Sequence, residues 1–148
     1  PRMTRDIDLV IEVAPDKVDQ IISLFSVDCY IDPDAVREAV HMHGIFNIIH
    51  KDWVIKADFI VRKDEDYRRE EFARRRTIEI EDVNISVVTA EDLILSKLVW
   101  AKQSESELQL RDVRQTISAG SGLDWDYMKR WAILIGVNDL LERVKGHE

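Results

Sequence analysis

Apolar and polar positions divide the chain into a strand-rich first part and a helix-rich last third. The stretch from Thr4 to Val13, with Ile7, Leu9, Val10, Ile11 and Val13 as its apolar members, predicts a first, buried strand. Pro15-Asp16 stops it and opens a helix over about 17–25, where Val18, Ile21, Ile22 and Phe25 share a face. The apolar patch Cys29-Tyr30-Ile31 leads to Asp32-Pro33. There an Asp N-cap and a Pro at the first helical position open a second helix, ending at Gly44. Residues 46–49 and 54–61 predict two strands joined across His50-Lys51-Asp52. Residues 62–76 predict a mixed-charge helix held by Tyr67 and Phe72. A second hairpin, 77–80 and 84–88, turns at Glu81-Asp82.

Thr89 then caps a helix with Asp92 in its first turn and a wide apolar stripe from Leu93 to Trp100. Beyond a polar bridge over 103–107, helices are expected over about 108–119, after Asp124 and from Asn138. The pattern predicts an α+β fold, a mixed β-sheet flanked by helices with a helical C-terminal third. One domain spans 1–148, with its sheet part over about 1–88 and its helical part over about 89–148.

A net charge of −8 argues against broad electrostatic binding to nucleic acid. The single Cys29 cannot form an internal disulfide, which points to a reducing, cytoplasmic compartment. No apolar run approaches the roughly 18 residues of a membrane span, and the chain enters its first strand without a leader, so no membrane partner is expected.

Candidate chemistry gathers on aspartates. On a strand, Asp6 and Asp8 project from one side about 7 Å apart, and their mutual repulsion can be relieved by a shared proton, a basic partner or a divalent cation. Oxygen donors without neighbouring Cys or His select Mg²⁺ or Mn²⁺. Alternatively, Asp6 merely caps a turn. Asp58 interrupts an apolar strand and needs a partner, either Lys56 on the same face or that cation. His41 and His43, two apart near a helix end, favour the helix dipole over a metal. Arg74-Arg75-Arg76 could reach a polyphosphate, and Lys97 either snorkels or lines a cleft.

Residues 2–11, Arg-Met-Thr-Arg-Asp-Ile-Asp-Leu-Val-Ile, resemble the signature strand of the nucleotidyltransferase superfamily with the polymerase β-type fold, and Lys56 to Ile60 resembles its third-carboxylate strand. Thr89 to Leu98, followed by Arg111-Asp112-Val113, resembles the helical part of minimal nucleotidyltransferases grouped with AbiEii-type toxins. The resemblance implies transfer of a nucleoside monophosphate from an NTP to a hydroxyl on a protein, a tRNA end or a small molecule, in a toxin–antitoxin setting. Asp6, Asp8 and Asp58 would hold Mg²⁺ or Mn²⁺, with Asp58 also orienting or deprotonating the acceptor. Arg2, Thr4, Lys97, Arg111 and Asp112 would contact substrate.

The family's Gly-Gly or Gly-Ser turn, which grips the triphosphate just before this strand, is not found. Weak nucleotide binding is therefore expected, and the alternative is a catalytically inactive, N-terminally truncated binding protein. A third possibility is that the aspartates pair with Arg2, Arg5 and Lys56. In the family's sheet the missing segment would lie beside the first strand, so a homodimer through that exposed strand is expected.

Overall fold

The computed structural model describes residues 6–146, in two compact units that divide between Arg69 and Glu70. Each has its own core.

The first unit opens with β1 (Asp6–Ile11) and, after a 3₁₀ turn at Pro15–Lys17, α1 (Val18–Ser26). β2 (Cys29–Tyr30), α2 (Pro33–Met42), β3 (Ile45–His50) and β4 (Lys56–Val61) follow. The strands form one mixed sheet in the order β1-β4-β3-β2, with β1 parallel to β4 and the other pairs antiparallel. Capping sets the helix limits. The Asp32 carboxylate accepts the Asp34 N–H at 3.0 Å, and Pro33 fills the first helical position. His43 ends α2 in the left-handed region, at φ 49, and its Nδ1 donates to the Arg62 carbonyl at 2.7 Å, the structural use its place at a helix end suggests.

The pleat sorts this sheet into two faces. Phe46, Ile48, Ala57, Phe59 and Val61 are buried in a core shared with Val18, Val36, Ala39 and Val40 of α1 and α2. Phe59 stacks on Phe46 with ring centroids 5.0 Å apart and meets Phe25 at 5.4 Å. The intervening residues, among them Asp58 and Asn47, point the other way and are exposed or half-buried.

Two expectations change here. β1 is not buried: Asp6 through Val10 are all exposed, because β1 ends the sheet and pairs with β4 alone among the described residues. β4 begins at Lys56 rather than Val54, because Val54 adopts a positive φ of 52 and belongs to the turn.

α3 (Asp66–Ala73) carries the division between the units and is much shorter than the charged run from which it was predicted. Arg62 still continues the sheet, its N–H bonded to the Ile11 carbonyl at 2.9 Å, and Arg76 already belongs to a strand. The second unit continues with a hairpin, β5 (Arg76–Ile80) and β6 (Val83–Val87), turned by Glu81 and Asp82 at φ 48 and 63. Positive φ at both central residues gives a turn whose twist matches the strands.

α4 (Ala90–Ser104) is the central helix, with α5 (Glu107–Ala119), α6 (Trp125–Leu134) and α7 (Asn138–Lys145) packed against it. It runs through most of the expected polar bridge, which shrinks to Glu105 and Ser106. Thr89, Ser106 and Asp124 cap α4, α5 and α6 through their side-chain oxygens. Ile94, Leu95, Leu98, Val113, Met128 and Leu141 form the buried centre. The fold is α+β, with a mixed four-stranded sheet, a two-stranded sheet and helices from Ala90 onward. Among the described residues no helix is long and apolar enough to cross a membrane.

Candidate functional site

The uncovered face of the four-stranded sheet brings the first group of candidate residues together. In the parallel pairing of β1 with β4, Asp8 lies beside Asp58 and Asp6 beside Lys56. Residues in register across a sheet share a face, so Asp6, Asp8, Lys56 and Asp58 form one polar patch. On the other side of Asp58, Asn47 of β3 is in register and extends this row of oxygen donors to a third strand. The alternation of β3 places Asn47 on this face, but only the register against Asp58 reveals it as a neighbour.

Asp58 has a basic partner: Lys56 Nζ lies 3.2 Å from its Oδ1. This is one of the two ways of compensating Asp58 expected from the sequence. The carboxylates suit a hard divalent cation by donor type. Among the described residues, however, no three carboxylate, imidazole or thiolate side chains are gathered closely enough to hold a metal. The backbone register fits the group, whereas the side chains as placed put an ammonium where a cation's charge would act. Arg2 and Thr4 lie outside the described residues.

In the second unit Lys97 does not simply snorkel to solvent. Its Nζ donates to Asp112 Oδ2 at 3.2 Å and to Gln109 Oε1 at 3.4 Å, tying α4 to α5. Lys97 and Asp112 line an open groove of about 540 Å³ with Gln115, Thr116 and Gly120. Arg111 is exposed, and the partner of Asp112 is Lys97 rather than Arg111. Gln109 was not singled out in the sequence, although its position three residues before Asp112 sets both on one face of α5.

Arg74 is engaged within its own unit. Its Nε donates to Asp92 Oδ2 at 3.1 Å, and its guanidinium lies 3.7 Å from the centroid of the Tyr127 ring. Asp92, fully buried, also accepts the Thr89 hydroxyl at 2.8 Å and the Tyr127 hydroxyl at 2.6 Å. Burial first, and the Asp92 carboxylate second, push the Tyr127 hydroxyl far above its usual pKa. Nearby, burial works against the charge of Glu91. The Asp124 N–H, its own N–H, Arg74 and Arg76 nevertheless hold it below the usual carboxylate value. Arg75 turns back on α3, bonding the Phe72 carbonyl at 2.6 Å and covering the Phe72 ring. Another buried acid, Glu71, accepts the Ser96 hydroxyl. The bonds of Asp92 to Arg74 and Tyr127 join residues 18 and 35 apart, so the sequence offered only the Thr89 cap, three residues from Asp92, as a signal.

Comparison with known proteins finds no family whose pattern matches the chain and no curated protein that matches its sequence.

Proposed function

We propose that the protein is a nucleotidyltransferase-type domain that transfers a nucleoside monophosphate from an NTP to a hydroxyl acceptor, breaking the α–β phosphoanhydride bond and releasing pyrophosphate. One observation carries the reading: the parallel register of β1 and β4 sets Asp8 beside Asp58 on a face that α1 and α2 leave uncovered, with Asp6 two residues away on the same face. Carboxylates on adjacent strands suit in-line phosphoryl transfer, which needs aligned reactants and clamped charge more than a covalent intermediate. A divalent cation held by Asp6, Asp8 and Asp58 would neutralise phosphate charge. Asp58 would also accept the proton of the acceptor hydroxyl.

The Lys56–Asp58 ion pair supports a second reading, in which Asp58 is a structural partner of Lys56 and the domain binds without catalysing. Mn²⁺ titration followed by water-proton relaxation separates the two and needs no acceptor. The transferase reading expects one site, weakened by about tenfold or more in Asp8→Ala and in Asp58→Ala and tightened in Lys56→Met. Equal Mn²⁺ affinity in wild type and all three variants, with lower stability in Lys56→Met, would leave only the structural reading.

A further inference from the structure

β1 and β2 are the two edge strands of the sheet, and β1, six residues against two, offers the longer free edge. Its outer side has no strand against it among the described residues, so a row of backbone N–H and C=O groups faces outward. The side chains flanking that edge are sorted by the pleat. Asp6 and Asp8 lie on the polar face, while Ile7 and Leu9 lie on the helix-covered face and remain 48% and 39% exposed. Large apolar side chains so open on a sheet edge mark a surface that another segment covers.

From the charge pattern of this edge we infer that β1 binds an extended polypeptide segment in which basic residues alternate with apolar ones, adding a fifth strand. Residues directly opposite across a strand pair share a face about 5 Å apart, so alternate Lys or Arg side chains would meet Asp6 and Asp8 in the metal-free protein. The residues between them would cover Ile7 and Leu9. Backbone pairing supplies affinity in such strand addition, and the alternation supplies specificity.

A second copy of the chain fits this edge poorly. A two-fold axis normal to the sheet keeps both acidic faces on one side. Antiparallel registers centred on Ile7 or Asp8 then oppose Asp6 to Asp8 or Asp8 to itself. Like charges directly opposite destabilise a strand pair. Nucleic acid is disfavoured by the same carboxylates.

The test uses the full chain, labelled with ¹⁵N and titrated with a capped eight-residue peptide alternating Val and Lys, and with its Glu-for-Lys counterpart. The Val–Lys peptide should saturably shift the amides of Ile7 to Ile11, and the Val–Glu peptide should leave them in place. The exposed double variant Asp6→Asn/Asp8→Asn should weaken Val–Lys binding by about three- to tenfold, the scale of two exposed charge pairs. Shifts confined to other parts of the chain, or equal binding of the two peptides, would overturn the proposal. So would a dimer of the unliganded chain, seen by sedimentation, whose β1 amides are protected from exchange.

Discussion

Asp92 shows how a single buried charge is made tolerable. An unpaired carboxylate in a core costs several kcal/mol, yet this one accepts hydrogen bonds from Arg74, Thr89 and Tyr127. The arrangement has a consequence at alkaline pH. The pKa of Tyr127 is raised in the folded state, and its unfolded value is about 10. A group whose folded pKa is raised contributes stability fully below its unfolded pKa and loses it as pH climbs. The loss should therefore begin near pH 10, at about 1.4 kcal/mol per pH unit from this hydroxyl alone. Tyr127→Phe should be less stable at pH 7 by about 1–3 kcal/mol, through the lost hydrogen bond to a buried charge. It should also lose less stability than wild type between pH 10 and 11.5. Urea unfolding at the three pH values measures both, and parallel alkaline slopes would mean that Tyr127 ionises freely within the fold.

At the scale of elements, what was legible in the sequence was local. Asp32, Thr89 and Asp124 announce their helices because an N-cap acts on N–H groups two or three residues away, and all three do so here. The periodicity of 46–49 and 54–61 likewise yields two antiparallel strands, although the second begins only at Lys56, and the pairing of Lys97 with Asp112 joins residues already suspected of a cleft role. What was not legible depends on partners distant in the chain. Composition cannot distinguish an edge strand from a central one, so the apolar pattern of β1 predicts a buried strand. Arg74 could not be assigned to Asp92 before α4 and α6 were folded around it.

Val54 is a third kind of miss, a β-branched residue in a conformation its side chain disfavours. It is largely exposed, and its N–H bonds the His50 carbonyl at 3.2 Å, so the turn is held by backbone geometry rather than by packing of Val54. Asn tolerates the left-handed region, and Val54→Asn should stabilise the protein by about 1 kcal/mol. Thermal unfolding checks it, and a lower midpoint would show that the Val54 side chain has a packing role that its exposure conceals.

For the whole molecule, charge is the property that constrains partners. A net charge of −8 is concentrated in part on Asp6 and Asp8, on the face that carries the candidate site. Among the acceptors a nucleotidyltransferase could use, a nucleic acid would bring phosphates toward these carboxylates, whereas a basic polypeptide would be drawn to them. Of the arginine cluster, Arg74 is engaged with Asp92 and Arg75 with Phe72 of α3, while Arg76 is exposed at the start of β5. The two partner classes should therefore respond oppositely to charge. Without divalent metal, in 0.15 M salt, tRNA should bind more weakly than about 100 μM, the weak end of the ordinary non-specific range, and lowering the salt should not bring the steep gain seen when lysines and arginines displace counterions. Binding of the Val–Lys peptide should instead weaken as salt rises from 0.05 to 0.5 M, because its charged contacts are exposed and screened. Fluorescence anisotropy with labelled tRNA and labelled peptide measures both under one set of conditions. Micromolar tRNA binding with a steep negative salt slope would reveal a basic surface that outweighs the acidic face, and would favour a tRNA end among the acceptors.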